Sequence, residues 1–334
     1  MPAERSTGKA EEAAHPPTLI VAGPTASGKS LLALHLAEAL GGAVINADSM
    51  QVYRELRILT ARPTPEDEAR APHLLYGVRP AAEPGSAAWW RGAALDAVAQ
   101  ARERGLVPIL CGGTGLYLQA LVQGLAEIPA PSAEARAEAR AILAAEGPDA
   151  LHRRLTDADP ETAALLRASD GQRLARAWEV WRSTGCGLAA WQAQAPSPAS
   201  TSTLGRFQLI LLDPPRDALR EAVSLRFARM LDEGALDEVR TLLGQQLDPA
   251  LPAMRAHGVP ELTASLRGEI SLDEAARRAI LATGQYTKRQ ATWFRHRPPL
   301  HPSDAHTIHA RYAGKEQYLK SLCRGLGKLL CRPG

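Results

Sequence analysis

Thr18-Leu19-Ile20-Val21-Ala22-Gly23-Pro24-Thr25-Ala26-Ser27-Gly28-Lys29-Ser30 reads as a short apolar strand running into a glycine-rich turn. A helical run follows from Lys29 to Leu40, with Leu31, Leu32, Leu34, Leu36 and Leu40, and Gly41-Gly42 stops it. Ala43-Val44-Ile45-Asn46-Ala47 is a second strand signal, ending at Asp48. Strand, helix and strand in so short a span make a βαβ unit, so the sheet is expected to be parallel. The turn itself, Gly23, Pro24, Thr25, Ala26, Ser27, Gly28, Lys29 and Ser30, fits GxxxxGK followed by Ser or Thr, in the strand-to-helix context that this P-loop needs. Its amides can curl around anionic oxygens, and the positive end of the helix adds to the attraction. Lys29 is placed to neutralise a terminal phosphate, and the Ser30 hydroxyl to ligate Mg²⁺. The loop specifies a polyphosphate, ATP among others. Phosphoryl transfer and diphosphate departure both need negative charge stabilised, so a kinase stays open at this step.

Further along, a helix from Ala87 to Arg104 ends at Gly105, and Leu106 to Cys111 forms a strand stopping at Gly112-Gly113-Thr114-Gly115. In open α/β sheets ligands gather at the carboxyl ends of strands. Three strands end in such loops, at Gly23, Asp48 and Gly112. After Gly124 the character changes. Ile128-Pro129-Ala130-Pro131-Ser132 reads as a linker, Ala133 to Gln194 as helix, and Ala195 to Ser202 as a second loose stretch. Phe207 to Leu212 returns to strand, and helices dominate from Arg216 to Arg297. The expected architecture is an α/β, P-loop NTPase-like parallel sheet core (18–128 and 203–300) with an inserted all-helical subdomain (129–202). A disordered leader (1–17) and a C-terminal tail (301–334) complete the division.

Bulk properties set bounds. The chain has 334 residues with 39 Lys+Arg against 36 Asp+Glu, a balance that neither demands nor excludes a nucleic acid. Its length suffices to bury a core without disulfides. Cys111, Cys186, Cys323 and Cys331 form no CxxC pair, which argues against a zinc site and fits a reducing cytoplasm. The first residues lack the apolar run of a signal peptide, and no run reaches the ~18 apolar residues of a membrane span. A monomer is the default expectation.

Asp48, opening Asp48-Ser49-Met50-Gln51-Val52-Tyr53, can hold Mg²⁺, act as a general base, or cap a helix. The P-loop, this loop and Gly112-Gly113-Thr114-Gly115-Leu116-Tyr117 together resemble the tRNA dimethylallyltransferase family. So do Thr60-Ala61-Arg62-Pro63, Ser169-Asp170-Gly171-Gln172-Arg173-Leu174-Ala175-Arg176-Ala177 and Lys288-Arg289-Gln290-Ala291-Thr292-Trp293-Phe294-Arg295, in the family's order, so the likeness spans about residues 18 to 297.

The resemblance implies dimethylallyl transfer to N6 of adenosine 37 in tRNAs reading codons that begin with U. It implies that Asp48 is the general base on N6, that Thr114 hydrogen-bonds in the reaction channel, and that Arg226 stands with the P-loop and Mg²⁺ at the diphosphate. It places the tRNA anticodon stem-loop against Asp48, Ser49, Met50, Gln51 and Thr114. It adds Arg136, Gln172, Arg173, Leu174, Ala175 and Arg176, and Met254, Arg255, His257 and Gly258. Gln172 and Arg176, four residues apart, share a helix face. Trp89, Trp90, Trp178, Trp181 and Trp293 read as packing residues. Two departures from the family pattern are Gly284, where many relatives carry arginine, and Gly258-Val259-Pro260-Glu261, less basic and aromatic than in some. A small-molecule kinase and a nucleotide-gated RNA-binding module are the rival classes. Neither accounts for the Gly112–Tyr117 loop and the Lys288–Arg295 stretch together. A related enzyme prenylates free AMP, but the inserted helices favour a bulky RNA acceptor.

Overall fold

The computed structural model describes residues 17–194, 205–315, 317, 319–320 and 322–324. The expected leader (up to residue 16) and the whole of the loose stretch from Ala195 to Ser202 lie outside them. The chain divides into two compact units, 1–122 with 201–334, and 123–200.

The larger unit is built on β1 (Thr18–Ala22), β2 (Gly42–Asn46), β3 (His73–Leu74), β4 (Val107–Gly112), β5 (Phe207–Leu212) and β6 (Ala305–Ile308). Among the described residues these form one sheet in the order β3-β2-β4-β1-β5-β6, parallel throughout. A parallel sheet is covered on both faces, so its strands read as apolar runs. β1 shows why: Leu19 and Val21 join one core cluster, while Ile20 and Ala22 join the other. The first cluster is filled by Leu32, Leu34 and Leu36 of α1 (Lys29–Leu40). The second takes Trp90 from α3 (Ala87–Glu103) and Leu118 and Leu121 from α4 (Gly115–Gln123). Trp90 is fully buried, stacks on Tyr117 with centroids 4.6 Å apart, and donates from Nε1 to the Asn46 carbonyl at 2.8 Å.

Two short elements went unread in the sequence: α2 (Pro65–Arg70), with a Thr64–Asp67 capping box, and β3. The larger correction concerns the C-terminus. Residues 305–308, read as part of a tail, are the edge strand β6, with Leu209 to Leu212 opposite Ala305 to Ile308. Ala305-His306-Thr307-Ile308 is too short and too polar to announce itself as a strand. Its place is set by pairing with a neighbour almost a hundred residues earlier. The same unit carries α9 (Arg216–Asp232), α10 (Ala235–Gly244), α11 (Val259–Leu266) and α12 (Leu272–His296).

The smaller unit holds α5 (Ala133–Ala158), α6 (Pro160–Ala164), α7 (Gly171–Thr184) and α8 (Leu188–Ala193). α5 is broken at Gly147, whose φ of 78° precedes Pro148. Its own core contains Ile142, Leu151, Leu155, Leu174 and Trp178. Alanine-rich sequence makes these helices, but the sparse large apolar residues fix how they pack.

Candidate active site

The loops after β1, β2 and β4 carry the site, and each is held by a device that local sequence explains only in part. The P-loop leaves β1 at Gly23 and turns into α1 through Gly28, whose φ of 91° favours glycine. Lys29 is almost fully buried, and among the described residues its ammonium reaches only the Pro24 carbonyl, at 3.4 Å. Burial pushes its pKa down, partly opposed by Asp48. A bound anion would relieve that penalty. The Ser27 hydroxyl is buried beneath the loop with no partner among the described residues. Ser30 is exposed.

Asp48 is positioned by Asn46 at the end of β2. The Asn46 side chain accepts from the Asp48 amide at 2.8 Å and donates to the Asp48 carbonyl at 3.0 Å and the Leu75 carbonyl at 3.1 Å. Asp48 Oδ1 accepts from the Met50 amide at 2.9 Å, an Asx-type turn that caps no helix. Thr114 ties the β2 and β4 loops together. Its Oγ1 accepts from the Ser49 amide at 3.0 Å and lies 3.3 Å from Ser49 Oγ. The loops can approach because Gly112 has no side chain; a Cβ there would collide with the Ala47 backbone.

α12 braces all of this from above. The buried Gln290 accepts from the Thr25 amide at 2.8 Å and donates to the Gly113 carbonyl at 3.0 Å, stapling the P-loop to the β4 loop. One turn away Tyr286 is half-buried, and its hydroxyl pKa is pushed up to about 12 by desolvation and by Asp48, against hydrogen bonding from Thr114 and Gln290. Neither role was read from the sequence. The stretch Lys288–Arg295 was recognised as a motif, but periodicity alone does not say which polar residue turns inward.

Two spaces open around these groups. A cavity of about 70 Å³ is lined by Asp48, Thr25, Tyr286 and His257 with Leu59 and Phe227. A wider cleft of about 680 Å³ runs past Lys29 and Ser30 and is strongly basic, with Arg57, Arg62, Arg229 and Arg311 among its walls. Arg226 and Met230 line both, so the apolar cavity and the basic cleft adjoin across these two residues. Arg226 donates to the Thr60 carbonyl at 3.3 Å and pairs with no carboxylate among the described residues. Burial lowers its pKa, and Asp48 opposes that.

The other expected residues divide. His257 lines the cavity and packs at a tilt against Tyr286, with centroids 5.0 Å apart and the rings at 49°. Met50 also lines it. Arg255 is exposed and Met254 half-buried against the core, while Gly258 is buried and its amide donates to Glu261 at 3.0 Å. Gln51 is nearly buried and spends its amide nitrogen on the Thr60 and Ala61 carbonyls, both at 2.9 Å, so its donor holds protein backbone. In the helical unit, Arg136, Gln172 and Arg173 are exposed, and Arg173 lies 3.5 Å from Asp170. Ala175 and Arg176 are half-buried, the latter near Glu179 and Arg136. Leu174 is fully buried, its side chain packed in that unit's own core.

The family model described as IPP transferase matches residues 51–297, and one described as isopentenyl transferase matches 17–75. A tRNA dimethylallyltransferase of Granulibacter bethesdensis is 62% identical over 299 residues, 90% of this chain and 93% of the relative. This chain belongs to the tRNA dimethylallyltransferase family. A second tRNA dimethylallyltransferase, from Gluconacetobacter diazotrophicus, is 58% identical over 93% of each chain. The crystal structure of a full-length tRNA isopentenylpyrophosphate transferase from Bacillus halodurans superposes with a TM-score of 0.66 at 29% identity, covering 95% of this chain and 97% of that one. A eukaryotic dimethylallyltransferase acting on tRNA shares the fold at a TM-score of 0.74 and 24% identity. As a tRNA dimethylallyltransferase family member the chain is a transferase enzyme, and no described helix is long and apolar enough to cross a membrane.

Proposed function

We propose that the chain transfers a dimethylallyl group from dimethylallyl diphosphate to N6 of adenosine 37, in tRNAs reading codons that begin with U, and releases diphosphate. The observation that carries the reading is the small, largely apolar cavity beside Asp48 adjoining a basic cleft across Arg226. An allylic diphosphate has that shape: a short hydrocarbon chain and a highly charged end. The acceptor nitrogen is a weak nucleophile, so departure of the diphosphate must be assisted while the amine loses its proton. In the transfer the allylic C–O bond breaks and a C–N bond forms. Asp48, held by Asn46 and Met50, takes the N6 proton. Thr114, at the junction of the two loops, orients the base. Lys29, Arg226 and the P-loop amides hold the charge that collects on the leaving diphosphate.

Ser30 faces the cleft, and a hard cation of the Mg²⁺ type binds through one or two protein oxygens plus phosphate oxygens, so this donor set fits it without a protein cage. Bound there, Mg²⁺ would neutralise diphosphate charge. Adenosine 37 must leave its stack to reach such a cavity. Exposed Arg136, Gln172 and Arg173 in the helical unit, and Arg255 in the core, are the candidates for the flanking RNA. The enzyme acts as a monomer in the cytoplasm.

The test is incubation of the purified protein with Mg²⁺, radiolabelled dimethylallyl diphosphate and unmodified tRNA, with an A37→G tRNA as control. Label appearing on the A37 tRNA alone is the expected result. No label, with ATP hydrolysis or phosphoryl transfer instead, would replace this reading by a kinase on the same loop.

A further inference from the structure

The segment that follows β6 crosses the outside of the P-loop and is bound to it residue by residue. Arg311 donates from Nε to the Ala26 carbonyl at 2.8 Å. The Tyr312 amide donates to the Ser27 carbonyl at 3.0 Å. The Tyr312 carbonyl lies over Gly28, so closely that a Cβ there would collide with it. The buried Tyr312 ring is anchored in turn, its hydroxyl 2.8 Å from His35 Nδ1 on α1. Two consecutive residues thus hold two consecutive loop carbonyls outward. Ala26, the first of the two, adopts a φ of 67°, a conformation that a non-glycine residue keeps only when its surroundings impose it.

Arg311 also lines the basic cleft with Lys29 and Ser30. Its neighbours there are largely committed. Arg57 lies 3.3 Å from Glu68 and donates to the Pro63 carbonyl, and Arg62 donates to the carbonyls of Tyr53 and Arg54. The carboxylates on the cleft wall are Asp67 and Glu233. Arg311 makes no ion pair among the described residues, and its one hydrogen bond uses Nε. Among the described residues nothing engages its two terminal nitrogens, which leaves them for a ligand. A guanidinium that presents paired N–H groups matches phosphate oxygens geometrically. The residue lies beyond the 51–297 span of the family model, so it is no part of the motif set that identified the chain.

We propose that Arg311 is a diphosphate-binding residue, contributed by the C-terminal segment, whose side chain both ties down the P-loop at Ala26 and contacts the diphosphate that Lys29 holds. The proposal rests on the reading of this loop as the donor's cradle. It predicts a contribution to donor affinity about equal to one charge-assisted hydrogen bond, roughly tenfold.

The experiment compares full-length Arg311→Gln, Arg311→Lys and Lys29→Ala with the parent enzyme. Four quantities are read: KM for dimethylallyl diphosphate, kcat, the inhibition constant of inorganic diphosphate, and the thermal midpoint. Gln keeps a donor for the Ala26 carbonyl without the charge, and Lys keeps the charge. Arg311→Gln should raise both the donor KM and the inhibition constant about tenfold, with KM rising by more than kcat falls, and Arg311→Lys should recover most of the loss. An unchanged inhibition constant in Arg311→Gln, or a fall in kcat and thermal midpoint at constant donor KM, would overturn the contact and leave a purely structural clasp. If Lys29→Ala also leaves diphosphate inhibition untouched, the cradle reading itself fails. If Lys29 matters and Arg311 does not, only this inference fails.

Discussion

Replacing Gln290 by leucine removes the two bonds that join the P-loop to the β4 loop, and the structure sets the scale of the damage. The Thr25 amide and the Gly113 carbonyl lose partners at 2.8 and 3.0 Å, and Gln290 is only 4% exposed, so water does not simply take over. Each polar group orphaned in such a place costs about 1–3 kcal/mol, so the pair should cost about 3 kcal/mol. At roughly 2–4 °C per kcal/mol for a chain of this size, the thermal midpoint should fall by about 8 °C. Catalysis should suffer separately. Thr25 lines the cavity and Thr114 follows Gly113, so loosening the staple moves donor and acceptor loops relative to each other. A displacement near 1 Å in a reacting geometry is worth about a hundredfold in rate. Prenyl transfer to tRNA, assayed at a temperature where the variant remains folded, should show kcat/KM down by about that factor. Gln290→Glu, which faces a carboxylate oxygen towards the Gly113 carbonyl, should do no better. A wild-type midpoint would refute the energetic argument, and wild-type kcat/KM in a destabilised variant would refute the link from staple to chemistry.

Asp48→Asn should leave donor binding largely intact while slowing transfer about 10²–10⁴-fold, the range of a lost general base. Equal loss of binding and rate would make Asp48 structural. Gly284 sits inside α12 with open space where a Cβ would go, so Gly284→Ala should stabilise the protein by up to about 1 kcal/mol, read as a small rise in the denaturant midpoint. A destabilised variant would mean the glycine serves a close approach that the structure does not contain. Burial lowers the pKa of His257, with Arg289 acting in the same sense and Glu261 and Asp48 opposing. Its folded pKa lies below its unfolded one near 6.5, so the unfolded chain binds more protons between the two values. Stability should therefore decline as pH falls below about 6.5, and His257→Gln should show a shallower decline in urea titrations. An unchanged slope would remove His257 as the cause.

The order of β1, P-loop and α1 could be read residue by residue, because spacing along thirteen residues dictates a strand, an anion-binding turn and a helix start. The loops that carry Asp48 and Thr114 were legible for a related reason: the carboxyl ends of parallel strands are where an open sheet collects its ligands. Leu174 shows the limit. It stands inside a recognised motif, yet its burial follows from packing within the helical unit. Gln51 shows the same limit for a polar residue, since only the folded loop reveals that its amide is already engaged.

By itself, then, the sequence determined what depends on near neighbours: the βαβ unit, the phosphate loop, the inserted helical stretch and the family to which these motifs belong. Tertiary structure alone decided the contacts that join distant segments. Gln290 meets Thr25 across 265 residues, Arg311 meets Ala26 across 285, and β6 finds its place only beside β5. Such contacts have no period and no local signature. Their free energy comes from burying and pairing polar groups that become neighbours only after the sheet has assembled.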